Sequence, residues 1–561
     1  LKKRSSEKRM RKWRSRTCRL ASVIALVLFS LQLAGCATSA LNMAPDRPDA
    51  PWIPATGPNG EIIAGQRGPS NQPNNGRYVL PANRELAEIP PPAIDLERGG
   101  PYDLPDLIDI AESNNPVTRN AWNDARDAAL AAGIAKSTYL PLISAGIVQG
   151  WQKSQIDFSG RNQVSALGAT VPALPISTTS TTPLSLGTNG TQDVTGEGDI
   201  EVVSIQWLLF NFGKRAALVQ VAKQESAVSN LAFTAAHQQV IYNVSLAFYA
   251  HAAARAHLAT AKESLSAAEE VQAAAEDRYK RGVGTVVEVA QTKQSTAEAQ
   301  LVRVQAEGVA EDSYLALISA MGISPITRLT IADISRRTLP PSLTAPIESF
   351  IAEALARRPD VLSAYATVQA SLAGLRAAQA EFLPKVFVSG TGTRLSGSLS
   401  VTAIPGVDQQ LPIVNLPNNQ LGVSTDQLNG TILLGMTVPL YAGGSRVALL
   451  EQARDKVDKA ETTLLQIRNE AARQIVVARN TLKTSLSAYS AATALAAAAQ
   501  TTFDAALAAY RNGVGSITDV AIAERQLLVA KNAATDAYST ALSAAATLAL
   551  AAGALGSAPP Q

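Results

Sequence analysis

Few side chains in this 561-residue chain have types and spacing that could do chemistry. The most suggestive are two carboxylates, Glu288 and Asp519. Each follows a tyrosine by nine residues, across the segments Tyr279-Lys-Arg-Gly-Val-Gly284 and Tyr510-Arg-Asn-Gly-Val-Gly515. Carboxylates that cluster attract cations and raise one another's pKa. A carboxylate just past a glycine turn can equally complement the dipole in the first turn of the next helix. Three histidines, His237, His251 and His257, are scattered on one predicted helix without carboxylate or cysteine neighbours at ligand spacing. They read as helix-face residues, and no metal site is expected. The chain carries no phosphate-binding glycine loop, nucleophile elbow or zinc-protease motif. It is expected not to be an enzyme and to use no cofactor.

The start of the chain distorts its composition. Ten Lys or Arg stand against the single Glu7 before Leu20, followed by an uncharged apolar run to Leu33 and then Ala34-Gly35-Cys36. The run is shorter than the roughly 20 residues a spanning helix needs. The pattern resembles a bacterial lipoprotein signal over residues 1–35, and that resemblance implies cleavage before Cys36, lipid on its sulfur, and delivery to the outer membrane because Ala37 follows. Removing the segment changes the formal charge from +3 to about −6, so the apparent basicity gives no reason to expect nucleic-acid binding. Cys18 leaves with the signal, so the mature chain has one thiol and no internal disulfide. Residues 36–101 are crowded with Pro, Gly, Asn and Ala, and are expected to form an extended tether.

The rest of the chain is written twice. Asn115-Pro116 and Leu140-Pro141 recur as Arg358-Pro359 and Leu383-Pro384, and the tyrosine-glycine segments recur in the same order. The repeat is about 240 residues, far beyond the roughly 20–50 of a solenoid unit, so residues 102–340 and 341–561 form two homologous halves. In each half a helix starting near Leu104 or Ile347 passes through Pro116 or Pro359 and ends at Tyr139-Leu-Pro or Phe382-Leu-Pro, where the pattern switches to a period of two. Ile143, Ala145, Ile147 and Trp151 alternate in one strand, and Val203, Ile205, Trp207 and Leu209 in the next. Ile432, Leu434, Met436, Val438 and Leu440 repeat the pattern in the second half. Two short β-hairpins are expected, with Trp151, Trp207, Phe210 and Tyr441 near strand ends as an interfacial girdle. Long insertions, about 152–199 and 396–429, separate the strands of each hairpin.

A rod follows each hairpin. From Gly213 to Gly282 no Pro or internal Gly interrupts the chain, enough for a helix of roughly 100 Å. Val240, Ala247, Ala254, Ala261, Ala268 and Ala275 recur every seven residues, as do Ile475, Leu482, Tyr489, Ala496, Phe503 and Tyr510. Heptads with alanine at the seam supercoil and let helices approach closely. After the glycine turns, helices return over 286 to about 321 and 517 to about 550. Four strands cannot close a barrel, and open strand edges cannot face lipid, so several copies must share one barrel. Three copies give twelve strands.

From Tyr102 to Gly553 the chain resembles the TolC-like outer-membrane efflux family. The match is carried by Asn115-Pro116, the Leu-Pro pairs, Phe212-Gly-Lys-Arg215, Tyr441-Ala-Gly-Gly-Ser-Arg446 and the two tyrosine-glycine tips. The resemblance implies a mainly α homotrimer with a shared twelve-stranded membrane β-barrel and a periplasmic coiled-coil tunnel. It implies a lipid-anchored outer-membrane channel that passes small molecules delivered by an inner-membrane pump through a periplasmic adaptor. It also implies that Glu288 and Asp519 ring the periplasmic gate, and that Gly282, Val283, Gly284, Gly513, Val514 and Gly515 form adaptor-docking tips. Some family members carry a basic residue after the second tip glycine that braces the closed gate. Here the stretch reads Val514-Gly515-Ser516. The alternatives are the outer-membrane duct of a type I protein secretion system and a non-conducting coiled-coil envelope spacer.

Overall fold

Proline decides where the short helices begin. In this computed structural model, which describes residues 43–44, 52, 54–67, 80, 82–87, 100–159, 189–334, 339, 347–405 and 420–556, α1 (Leu104–Asn114) stops one residue before Pro116. Pro116 then opens α2 (Pro116–Ser137), because a missing N–H costs nothing in the first turn. The single helix expected through Pro116 is therefore two. The second half repeats this with α5 (Ile347–Arg357) and α6 (Pro359–Ala380). The long rods are α3 (Lys214–Lys280) and α7 (Ser445–Arg511), each of 67 residues and so about 100 Å long. They return as α4 (Val286–Met321) and α8 (Ile517–Ala551).

The chain divides into two compact units. One comprises residues 1–99 with 324–328. Its described part holds a small antiparallel hairpin, β1 (Pro54–Thr56) with β2 (Ile62–Arg67), and a 3₁₀ turn over Arg84–Leu86 capped by Asn83. The segment expected to form an extended tether carries local structure, closed by hydrogen bonds from Gly57 N to the Glu61 carbonyl at 2.9 Å and from Arg84 N to the Asn59 carbonyl at 2.9 Å. The signal segment and Cys36 lie outside the described residues.

The other unit comprises residues 100–323 and 329–561. Its sheet is antiparallel in the order β3-β4-β5-β6, with β3 (Leu142–Ser159), β4 (Asn189–Phe210), β5 (Lys385–Pro405) and β6 (Gln420–Thr437). The helices follow the same order, α2 on α3, α3 on α6 and α6 on α7. The hairpins expected to be short are long. β3 and β4 pair without a break from Leu142↔Gln206 to Ser159↔Asn189, and β5 and β6 from Lys385↔Thr437 to Thr402↔Gln420. Residues 152–159 and 189–199 of the first expected insertion and 396–405 and 420–429 of the second are therefore strand, and Trp151 lies inside β3 rather than near its end. Val438 and Leu440 fall just beyond β6.

Register gives the sheet two different faces. One row runs Ile143, Ile205, Gly390, Ile432, and its neighbours hold Ala145, Val203, Val388 and Leu434. This face is apolar and exposed: Ile147 is 75% and Ile432 84% accessible. The opposite face carries Ser144, Ser204, Ser389, Thr391 and Thr431, with Ser144 and Ser204 hydroxyls bonded at 2.7 Å. Where strand becomes helix, Gly213 turns at φ +92° and Arg215 is buried, donating to the carbonyls of Thr138 at 2.8 Å and Leu209 at 2.7 Å. Arg446 repeats the device with the Pro439 carbonyl at 3.1 Å. The expected seam is present along α3, where Val240, Ala254, Ala261, Ala268 and Ala275 are buried and Ala247 is half-buried. No helix among the described residues is long and apolar enough to cross a membrane.

Candidate functional site at the helical tips

Each rod ends where a glycine leaves the right-handed helix. Gly282 has φ +76° and Gly513 φ +77°, a conformation that costs a side-chained residue and not glycine. The turns close with matching bonds: Val283 N and Gly284 N to the Arg278 carbonyl, both at 3.1 Å, and Val514 N and Gly515 N to the Ala509 carbonyl at 3.0 and 3.1 Å. Gly284 and Gly515 are needed for another reason. A Cβ on Gly284 would lie 2.8 Å from Tyr279 N, and one on Gly515 would lie 3.0 Å from the Ala509 Cβ. Val283 and Val514 stand exposed at the apex of each turn.

Glu288 and Asp519 sit in the first turns of α4 and α8, each in a capping box. Thr285 Oγ1 accepts from Glu288 N at 3.2 Å while the Glu288 carboxylate accepts from Thr285 N at 3.3 Å. Ser516 and Asp519 do the same at 3.2 and 3.4 Å, and the Ser516 hydroxyl also donates to the Asp519 carboxylate at 2.8 Å. The carboxylates thus satisfy helix-end donors and complement the dipole. One protomer contains one of each.

The two tips share a sequence but not a packing state. Tyr279 is 49% exposed, whereas Tyr510 is 1% exposed, enclosed by Val271, Phe503, Ile517 and Val520. Burial raises the Tyr510 hydroxyl above its ordinary value, helped by the charge of Glu288 and opposed by Arg278. Above the tips α3 and α8 are joined by polar pairs, among them Lys531 with Glu263 at 3.0 Å and His257 with Asn532 at 2.8 Å and Asp536 at 2.7 Å. Burial raises the carboxyl of Glu524 there, against a bond from Ser264 at 3.4 Å.

The three histidines all lie on α3, as expected. His237 meets Glu112 at 3.2 Å and His257 meets Asp536, so two of the three have carboxylate neighbours brought by other helices. His251 is buried, which with Arg255 lowers its pKa, and it bonds Ser313 at 3.1 Å. Among the described residues no three His, Cys, Asp or Glu side chains gather as a metal site.

Residues 107–323 and 350–554 match the outer membrane efflux protein family, one block in each half of the repeat. The chain belongs to that family. Over 386 residues it is 24% identical to Protein CyaE of Bordetella pertussis, spanning 68% of either chain. Over 255 residues it is 25% identical to the probable outer membrane lipoprotein SilC of Salmonella typhimurium, spanning 43% of this chain and 53% of that one. The fold resembles the outer membrane protein VceC of Vibrio cholerae, with a TM-score of 0.58 at 20% identity across 80% of this chain and 96% of that one. As an outer membrane efflux protein, the chain is mainly helical with one four-stranded antiparallel sheet in its larger unit, in a fold like that of its structural neighbours. Two things were not visible in its sequence: the burial of Tyr510, and the reach of Arg278 from one tip to the other. The only signal was that the position equivalent to Arg278 is Ala509.

Proposed function

We propose that this protein is the outer-membrane channel of a tripartite efflux system, a passive exit duct built from three copies. The observation that carries the reading is the sheet. From the row of Trp207 to that of Ala145 one face is apolar, while the other sets Ser144, Ser204, Ser389, Thr391 and Thr431 among Leu142, Val148 and Leu433, a difference in polarity that suits a membrane barrel with a watery lumen. Among the described residues its outer strands, β3 and β6, pair on one side only. Open strand edges are not tolerated in lipid and four strands cannot close. β3 of one copy then meets β6 of the next, and three copies make twelve strands continuous with a tunnel of long helices. The duct has no energy source of its own. An inner-membrane pump and a periplasmic adaptor supply substrate, the adaptor docking on the narrow turns Gly282-Val283-Gly284 and Gly513-Val514-Gly515. Three Glu288 and three Asp519 gather at the entrance and favour cations. Cys36 carries the lipid anchor, supported by its signal-like context.

Deleting the gene is expected to raise intracellular accumulation of small amphiphilic dyes, and wild-type protein is expected to restore efflux. Unchanged dye levels with loss of a secreted polypeptide would instead favour the type I secretion duct. For the anchor, labelled palmitate is expected to enter the wild-type protein and not Cys36→Ser. Equal labelling of both would exclude lipidation at Cys36.

A further inference from the structure

The two tips of one protomer are joined by a contact that runs in one direction. Arg278, in the last turn of α3, lays its guanidinium 5.0 Å from the centroid of the Tyr510 ring at the end of α7. Its Nη1 approaches the Tyr510 carbonyl and its Nη2 the Val283 carbonyl, each at 3.4 Å. A Cβ on Gly513 would lie 3.7 Å from the same Nη1, an ordinary contact, so that glycine answers to its positive φ and the arginine packs directly over it. A guanidinium can stack on a ring and donate to carbonyls in its own plane at once, which an ammonium cannot. The nearby Arg511–Glu270 ion pair also joins the hairpins, but both of its side chains are about half exposed, and such pairs hold little.

The reverse contact cannot form. The equivalent of Arg278 in the second tip is Ala509, and the equivalent of buried Tyr510 is exposed Tyr279. In the trimeric duct proposed above, on which this inference rests, six tips ring the entrance. Three joints lie within protomers and carry the Arg278 contact. Three lie between protomers and have alanine in its place. We propose that Arg278 is a positioning residue that ties the two tips of each protomer into one unit, so that the entrance widens by separation between protomers.

The test is hydrogen exchange on the purified full-length protein, with single-channel recording as a second arm. In Arg278→Ala, amides of Tyr510–Gly515, in the other hairpin, are expected to exchange about tenfold faster while mid-helix amides of α7 keep their rates. Arg278→Lys keeps the charge and most of the stem, serves if the alanine variant folds poorly, and is expected to show most of the same increase. Exchange that rises only around residues 278–284, or nowhere, would overturn the tie. That readout needs no pore, so it stands apart from failure of the channel reading. In bilayers the resting conductance of Arg278→Ala is expected to exceed wild type, and Ala509→Arg, placing a guanidinium at the joints between protomers, to fall below it. Faster exchange at the second tip with unchanged conductance in both variants would overturn the role in setting the entrance.

Discussion

A carboxylate in a capping box still carries its charge, so holding a helix end and lining a pore entrance are separable only by substitutions that keep the box. Glu288→Gln with Asp519→Asn retains acceptors for the Thr285 and Ser516 amides and removes the charge. It is expected to lower cation selectivity while leaving the melting temperature nearly unchanged. The alanine pair is expected to lose selectivity and also about 1–2 kcal/mol of stability. At the turns, Gly284→Ala meets Tyr279 backbone and should cost about 1–3 kcal/mol, more than Gly282→Ala, which strains only φ; thermal melting of both orders them. Glu524 offers a pH test. Burial raises its carboxyl above the unfolded value, so its destabilising effect is full at neutral pH and fades as pH falls through the folded value. Glu524→Gln keeps the acceptor for Ser264 and is expected to raise the melting temperature near pH 7 but not near pH 4. An equal gain at both would contradict the burial argument. Gly282 and Gly513 were legible in the sequence because each ends a long helix between recognisable patterns. The division of labour between Gly282 and Gly284 was not, because a close backbone approach leaves no mark on a single chain of letters.

Elements are tied together at a joint that the chain builds twice with different chemistry. In the first half Asn115 caps α2 through Val117 N at 2.9 Å and donates to the Ala320 carbonyl at 3.0 Å. In the second half Arg358 reaches the Ala551 carbonyl at 2.9 Å, Gln474 at 2.8 Å, and both oxygens of Asp360. Gly322 and Gly553, both at positive φ, let the returning helix end against these residues, and a Cβ on Gly322 would lie 2.8 Å from Asn115 Cα. Burial disfavours the Asp360 carboxylate, but the bonds and charge of Arg358 outweigh it and hold the carboxyl below its ordinary value. The stabilisation is therefore present above the unfolded pKa and lost as pH falls through the lower folded one. Arg358→Ala is expected to cost about 2 kcal/mol near pH 7, less than a fully buried pair because Asp360 is half exposed, and its gap from wild type should narrow in acid. Equal denaturation midpoints for the two proteins near pH 7 would contradict this. Helix extents were readable from Pro, Gly and heptads. The strand extents were not: Ile156 and Phe158, Leu399, Val401 and Ala403, and Leu421 and Val423 alternate, but in short runs set among Ser, Thr, Gly, Gln and Asp, so the continuous backbone pairing shows the full strands where short periodicity does not.

At the scale of the whole molecule, duplication explains why one chain has two rods and two long hairpins, and the outer strands, paired on one side only among the described residues, are the reason the proposed duct takes more than one chain. The apolar belt agrees with a membrane wall: from the row of Trp207 to that of Ile147, opposite Glu201, is six rows in register, or about 20 Å along strands that tilt in a barrel. In the row of Ile147 the same face meets Glu201 and Arg394, and one step further Asp426, which Arg394 bonds at 3.2 Å, marking where the belt gives way to polar surroundings. The ladders continue past this level, so the barrel wall is expected to project outward from the membrane. Its duplication and strand-rod order were legible, because they are written as motifs. The difference between tips was not, because it arises from neighbours. The central claim is that three copies make a water-filled duct, and single-channel conductance of purified, verified trimers in a planar bilayer tests it most directly. A small cation-selective conductance, with selectivity reduced in Glu288→Gln with Asp519→Asn, is the expected result. Intact trimers that pass no current in either form would contradict the duct and leave a coiled-coil spacer as the function of these rods.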